Sequence, residues 1–337
     1  MELWVTFVGT AASTPTAARN TSATLVVHGG TRVLVDCGEG TQRQLLRSGI
    51  GLIDLDAILV THLHADHYLG LPGLLKTYGL RGRETPLILC GPPGTQQLFD
   101  ALSIVIGHLP FAIDLRESES GPVLDVPNGA WHAFSTRHSI RSCGYALVED
   151  SRPGAFNLDA ARALGIPPGP LFGVLQRGQS IELDGQQISP DQVLGPARSG
   201  RRVVISGDTE PCDATREISQ GADLLVHEAT FLDDERARAR ETRHSTAAEA
   251  GAIASDANVA MLAITHISSR FFPRDLRREA QEVFPNTICP KDFDQIEIPF
   301  AERGTPTLHI GGARRIDGEV LPPTADSAAT VVKQPGL

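Results

Sequence analysis

Short apolar runs separated by turn residues dominate the chain, and their periodicity changes along its length. Leu3–Val8 reads as a strand closed by Gly9-Thr10. Ala23–His28 and Thr31–Asp36 alternate around Gly29-Gly30, which is a hairpin pattern. A helix is expected over Gln42–Arg47, a buried strand over Leu55–Val60, and a helix over Tyr68–Leu80. Pro86–Cys90 then reads as a strand and Gly94–Gly107 as a helix. Phe111–Glu117, Val123–Val126 and Ala130–Thr136 alternate as strands expected to share one sheet, followed by Cys143–Val148. Further strands are expected at Arg202–Ser206, Ala222–His227 and Val259–Ile264, the last of these closing the core. Helices are expected over Asp233–Glu241, Ala247–Ser255 and Pro273–Val283, the second capped by Ser245 or Thr246.

Residues 150–202 break this rhythm. A short helical piece, Leu158–Leu164, leads into the Gly/Pro cluster 165–173, and a hairpin-like stretch follows at Ile181–Ile188. The segment is too long for a plain connection in a compact domain. Its apolar residues Leu171, Phe172, Val174 and Leu175 argue against a disordered linker, so a protruding arm is expected. From about Gly304 the composition turns to Gly, Pro, Ala and Thr, and residues 303–337 read as a flexible tail.

Composition narrows the class. The 337 residues hold 41% hydrophobic and 21% charged residues, as in a soluble protein with a substantial core. No stretch is apolar for long enough to span a bilayer, and the N-terminus lacks the layout of a secretion signal. The five cysteines are scattered and contain no Cys-x-x-Cys pair, so a reduced, cytoplasmic protein is expected. A formal charge of −10 argues against indiscriminate nucleic-acid binding by the whole surface, though not against a local basic patch.

The candidate chemistry sits at strand ends. Thr61-His62-Leu63-His64-Ala65-Asp66-His67 follows the strand at 55–60 and precedes a helix. Imidazoles and a carboxylate packed into one such loop suit divalent metal ions, and so many donors suggest a pair of metals rather than one. His138 and His266 follow strands in the same way and are ligand candidates. Asp208, after a strand and a glycine, is placed to bridge two ions through its two oxygens. Asp36 is expected to scaffold the loop, whereas His28, His108, His132 and His309 are expected to be structural.

The His-x-His-x-Asp-His pattern resembles the signature of the metallo-β-lactamase fold, which implies a four-layer αββα sandwich with metals at one edge. The similarity goes further. Phe7-Val8-Gly9-Thr10, Val35-Asp36-Cys37-Gly38-Glu39-Gly40-Thr41-Gln42, His227-Glu228-Ala229-Thr230, His244-Ser245-Thr246 and His266-Ile267-Ser268-Ser269-Arg270 resemble ribonuclease Z, over roughly residues 1–302. Ala65, in place of the usual glycine, and Val8, in place of leucine, are mild departures.

The resemblance implies an endoribonuclease that removes the 3′ trailer from precursor tRNA, cutting just 3′ of the discriminator nucleotide. It implies two Zn2+ per subunit held by His62, His64, Asp66, His67, His138, Asp208 and His266. Asp66 would also accept a proton, and His244 backed by Glu228 would donate one. It further implies a homodimer in which the arm of one subunit serves the site of the other. Within that picture Arg270 is the expected phosphate contact, and Gly169 and Pro170 belong to the RNA-gripping arm. Two rivals are another metallo-hydrolase of the same fold, acting on a small ester or phosphodiester, and an RNA-binding protein that keeps zinc only for stability. Neither accounts for the arm together with the full set of strand-end residues.

Overall fold

The computed structural model describes residues 1–52, 54–311, 314–316 and 319–321. Most of the expected tail beyond residue 311 lies outside the described residues. In chain order, β1 (Leu3–Gly9), β2 (Ala23–His28) and β3 (Thr31–Val35) form an antiparallel meander. After α1 (Thr41–Arg47), β4 (Ala57–Leu59) pairs parallel to β3. Then come α2 (Ala65–Tyr68), α3 (Leu71–Leu80), β5 (Leu87–Gly91), α4 (Thr95–Ile106) and β6 (Ile113–Glu117), with β5 and β6 extending the same sheet in parallel.

The second sheet opens with β7 (Gly121–Val126), β8 (Gly129–Ser135) and β9 (Cys143–Glu149), all antiparallel. The arm follows with α5 (Leu158–Ala163), α6 (Pro170–Gln176), β10 (Ile181–Leu183) and β11 (Gln186–Ile188). The second sheet resumes at β12 (Arg202–Ile205). It continues through α7 (Asp213–Ile218), β13 (Leu224–Glu228), α8 (Arg236–Thr242), α9 (Ala247–Asp256), β14 (Met261–Thr265), α10 (Pro273–Val283) and β15 (Thr287–Ile288). Finally β16 (Gln295–Glu297) and β17 (Thr307–His309) return to the first sheet, beside β1.

The eight-stranded and seven-stranded sheets stack face to face, and the period-2 alternation shows why. Leu3, Val5 and Phe7 of β1 point into the shared core with Trp131, Tyr145, Leu147, Val203 and Leu224 of the facing sheet. The opposite face of the first sheet, with Leu25, Leu34, Ile58 and Leu89, is covered by Leu45 of α1, Leu71, Leu74 and Leu75 of α3, and Ile106 of α4. The outer face of the second sheet, with Ala146, Val204, Leu225 and Leu262, is covered by α9 and α10 through Ala250, Ile253, Leu276 and Ala280. The result is the αββα sandwich.

Four expectations need correction. Residues 113–117 lie in the first sheet, not with β7 and β8, because periodicity gives a strand but not its partner. The strand at 261–265 is not the last of the core. β15 extends its sheet and β16 closes the other, being too short to show a period in sequence. Leu308, within the expected flexible tail, is part of β17, since Ile296 and Leu308 pair across that edge. The single helix expected over 68–80 is also divided near Gly70. A Cβ there would come within 2.2 Å of the Gly38 carbonyl oxygen, so this turn passes directly against the 37–38 backbone.

The arm has a core of its own, built from Ala161, Ile166, Leu175, Ile181, Ile188 and Val193, with the Phe156 and Phe172 rings tilted against each other at 4.7 Å. Asn157 caps α5 by accepting from the backbone N–H groups of Asp159 and Ala160.

Candidate metal centre

The candidate residues arrive from the carboxyl ends of six strands in the two sheets. Asp36 follows β3, the 61–67 loop follows β4, His138 follows β8, Asp208 follows β12, Glu228 ends β13 and His266 follows β14. Crevices beyond strand carboxyl ends are where α/β sheets bind ligands, because successive loops converge there. Two of these residues, Asp36 (φ 62°) and His266 (φ 55°), hold left-handed backbone that non-glycine residues rarely adopt. Such outliers persist only where surrounding contacts fix them. Asp36 is fixed: it accepts from the Thr61 backbone N–H at 2.8 Å and from His67 Nδ1 at 2.7 Å.

All seven expected ligands meet. One group joins His62, His64 and His138. A second joins Asp66, His67 and His266. A third joins His62 and His67 to Asp208. Within each group the donor atoms lie within 4.8 Å of one another. Asp208 Oδ2 stands 3.2 Å from His266 Nε2, 3.5 Å from His67 Nε2 and 3.7 Å from His62 Nε2, between the two histidine clusters. Asp66 Oδ2 is 3.5 Å from both His67 Nε2 and His266 Nε2 and accepts from the Ser13 backbone N–H at 2.9 Å.

The outer hydrogen bonds decide which ring nitrogen faces inward. His67 Nδ1–H is taken by Asp36, and His138 Nδ1–H by the Arg243 carbonyl at 3.0 Å. His62 Nδ1 meets Thr61 Oγ1 at 3.1 Å, and that hydroxyl is itself donated to Asp36. His266 Nδ1 meets Thr230 Oγ1 at 2.8 Å, and the Thr230 hydroxyl is donated to Glu228 at 2.6 Å. Each ring is thereby set as the Nδ1–H tautomer, with the Nε2 lone pair turned into the site.

The inward atoms are left short of partners. His67 Nε2 is buried and accepts no hydrogen bond. His62 Nε2 and His138 Nε2 both converge on His64 Nδ1, at 3.0 and 3.1 Å, where one proton can satisfy only one of them. Converging lone pairs beside two carboxylates fit a pair of divalent cations. The carboxylates draw positive charge to this place: burial disfavours charge on His67, but Asp208 and Asp36 outweigh it and raise its pKa, so a proton and a metal ion compete for the same Nε2. Asp208 is kept ionised against its burial by His266 and His67.

Beside this cluster stands a separate pair. Glu228 Oε1 accepts from His244 Nδ1 at 2.7 Å and from the Thr209 backbone N–H at 2.7 Å, while Oε2 accepts from Thr230 and, at 3.2 Å, from the Ser245 N–H. With both oxygens engaged, Glu228 serves as the anchor of His244 rather than as a donor to a metal. Burial opposes charge on His244, yet the Glu228 carboxylate prevails and raises its pKa to about 9. The other face of the ring looks toward the cluster, stacked at 5.4 Å on His266 and 4.8 Å from the His138 ring. Thr246, two residues on, caps α9 in a capping box with Glu249, which fixes the turn that aims His244.

Other expected contacts fall elsewhere. Arg270 is engaged by Glu235 through two 2.7 Å bonds and lies over the Phe231 and Phe271 rings, so its resting partner is an acid of the same protein. Gly169 and Pro170 open α6 in the arm and belong to none of the metal-holding groups. His28 pairs with Glu149 as a structural residue. Sequence reasoning missed Thr61, Thr230 and the Arg243 carbonyl as orienting groups. The two threonines carried a usable signal, each lying within two residues of a candidate.

Comparison with known proteins agrees with this fold. Residues 16–139 match the model of the metallo-beta-lactamase superfamily. A ribonuclease Z of Methanosarcina acetivorans is 44% identical over 303 residues, covering 88% of this chain and 99% of the relative. One of Myxococcus xanthus is 48% identical over 305 residues, covering 89% and 99%. The chain belongs to the ribonuclease Z family. A solved structure with the same fold is the short form of human tRNase Z, with TM-score 0.65 and 26% identity, covering 88% of this chain and 99% of that one. As a ribonuclease Z the chain is a hydrolase, and among its described residues no helix is long and apolar enough to cross a membrane.

Proposed function

We infer that this chain is a zinc-dependent endoribonuclease that removes the 3′ trailer from precursor tRNA. It cuts the phosphodiester just 3′ of the discriminator nucleotide and leaves a 3′-hydroxyl on the tRNA and a 5′-phosphate on the trailer. The observation that carries the reading is the pairing of two His/Asp clusters around Asp208 with an independently anchored His244–Glu228 couple, on a chain of this family. One ion would be held by His62, His64, His138 and Asp208, the other by Asp66, His67, His266 and Asp208. The all-nitrogen-and-carboxylate donor set suits zinc.

When bound, the two ions supply Lewis acidity that makes water nucleophilic near neutral pH and offsets charge gathering on the phosphoryl oxygens. The protein does the rest. Asp66, held by the Ser13 N–H, is the proton acceptor beside the attacking water. His244 donates a proton to the departing 3′ oxygen, and Glu228 holds its Nδ1 so that the opposite nitrogen faces the substrate. The arm grips the folded tRNA through shape and backbone rather than sequence, as proteins read structured RNA, with Gly169 and Pro170 at the start of α6 in that grip. Arg270 reaches a substrate phosphate only by exchanging Glu235 for it. The enzyme is a cytoplasmic homodimer in which each arm serves the partner's site.

The test is to incubate the purified protein with a 3′-extended precursor tRNA, with and without a chelator, to map the cut, and to measure bound metal in parallel. Cleavage at the discriminator junction that vanishes with the metal is the expected result. Replacing residues 153–197 with a short Gly-Ser turn is expected to abolish tRNA cleavage while sparing a small phosphodiester such as bis(p-nitrophenyl) phosphate. Survival of tRNA cleavage in that variant sinks the arm's role.

A further inference from the structure

The arm leaves the body through a neck only two chains wide. Its strands pair at Arg152 with Arg198 and at Phe156 with Leu194, and the Gly195 N–H donates to the Ala155 carbonyl at 2.9 Å. The approach is as close as glycine permits: a Cβ on Gly154 would sit 1.9 Å from the Gly195 carbonyl oxygen, and one on Gly200 would sit 2.4 Å from the Glu149 carbonyl oxygen. Beyond the neck the arm folds around its own core. A two-chain neck fixes a direction poorly by itself, because small torsional changes at either strand swing everything beyond it.

What braces the neck comes from the far end of the sequence. Both neck strands grow out of the second sheet, from β9 and toward β12, whereas the segment after β16 extends the first sheet, with the Ile298 N–H donating to the Leu3 carbonyl at 2.9 Å. Two guanidinium groups lie over the Phe300 ring of that segment. Arg152 of the neck is 3.6 Å from its centroid, and Arg201 of the body is 4.1 Å from it. Arg201 is well anchored: it is buried, and it donates from Nε to Glu149 at 2.9 Å and from Nη1 to the Ile298 carbonyl at 2.9 Å. Two residues on, Glu302 accepts from Arg152 at 2.8 and 3.0 Å and from Arg198 at 3.0 Å, and so touches both strands of the neck. Phe300 and Glu302 thus form a clip that ties the arm's root to the opposite sheet.

We propose that Phe300 and Glu302 are positioning residues for tRNA cleavage: by holding the neck against the body they set the arm's angle, so that a gripped tRNA brings its 3′ junction to the metals. The proposal rests on the reading of the arm as the RNA grip. Neither residue touches the metal centre, so the chemistry at the metals does not depend on them. Alignment of a large substrate does, and a displacement of about 1 Å at a reacting junction costs as much as ~100-fold.

The experiment uses the full-length, zinc-loaded enzyme with Phe300→Ala, Phe300→Trp and Glu302→Gln. Initial rates are measured on a 3′-extended precursor tRNA and on bis(p-nitrophenyl) phosphate. Phe300→Ala and Glu302→Gln are expected to lower kcat/KM for the tRNA by about tenfold or more, chiefly through KM, and to leave the small diester within about twofold. Phe300→Trp keeps a face for both guanidinium groups and is expected to restore most of the loss. Unchanged KM for tRNA in both Phe300→Ala and Glu302→Gln overturns the proposal. If Phe300→Ala lowers both activities together, Glu302→Gln decides, because its carboxylate is 37% exposed and its loss does not open the core. An unchanged KM there overturns the proposal as well. The arm-deleted enzyme keeps the two ideas apart. If it still cleaves tRNA with unchanged KM, the grip itself is wrong. If it fails while the clip variants retain wild-type KM, only the clip is wrong.

Discussion

The metal centre and the arm solve opposite problems. The centre gathers residues from 36 to 266 in the chain, each at the end of a strand whose own register is fixed by two stacked sheets. Almost every inward atom there has an outer partner that sets its direction, and the backbone tolerates left-handed strain at Asp36 and His266 to keep it so. The arm is one continuous segment with a small separate core, joined to the sandwich by a glycine-tightened neck. Rigidity at the centre comes from many independent strands; the arm's direction comes from few attachments. Chemistry needs the first arrangement, because reacting atoms tolerate little displacement. Grip on a large, shaped substrate needs only that the arm be held at the right angle.

The comparison breaks most sharply at the shared carboxylate. Asp208→Ala removes the carboxylate that stands between the two histidine clusters, so both metals are expected to be lost and precursor cleavage to fall below detection, at least about 10³-fold. Metal analysis of the purified variant checks it, and full occupancy with normal turnover would refute the bridging assignment. His244→Ala is expected to cost about 10²–10⁴-fold in kcat on tRNA while metal content stays at the wild-type value. A loss of one metal equivalent would instead make His244 a ligand, which the His138–Asp208–His244 proximity allows geometrically. On the arm side, Leu175→Ala opens the arm's core and is expected to destabilise that core by about 2–5 kcal/mol. Its signature is selective: faster proteolysis within residues 156–194 and weaker tRNA cleavage, with the small diester and the main thermal transition unchanged. A matching drop in the main transition would mean that arm and sandwich unfold as one unit.

Most of the centre was legible in the sequence because strand-then-loop is a local pattern. His62, His64, Asp66 and His67 announce themselves in one window, and His138, Asp208 and His266 each follow an apolar run. That these residues belong to one site was not local information; it came from the family resemblance, and the sheet topology supplies the physical reason. The partnering of strands was the least legible feature. β6 alternates like β7 but pairs with β5, because parallel pairing depends on the α4 crossover rather than on β6's own pattern. β16 and β17 are three residues each, too short for any period to register, yet they close the first sheet and flank the clip on the arm. Arg270 shows the limit of reasoning from residue type. An arginine near a site is as readily paired by an acid such as Glu235, which nothing in the local pattern reveals.

The smallest expected effect lies where the two regions meet. Glu149 ends β9 at the base of the arm and is buried between His28, at 2.8 Å, and Arg201, whose Nε and backbone N–H reach it at 2.9 and 2.8 Å. Burial works against its charge, but the His28 and Arg201 hydrogen bonds overcome that and lower its pKa from 4.5 to about 2. A carboxyl group whose folded-state pKa lies below its unfolded value adds stability that is complete above the unfolded pKa and drains away as pH falls toward the folded one. Glu149 therefore contributes fully above about pH 4.5, and its contribution disappears on the way to about pH 2. Glu149→Gln is expected to melt lower than the wild type at pH 7, by roughly 2–4 °C for each kcal/mol lost, and the two melting curves are expected to converge through that acid window. Parallel curves down to the lowest pH would mean that the residue stabilises by packing alone, and that the joint between sandwich and arm holds without its charge.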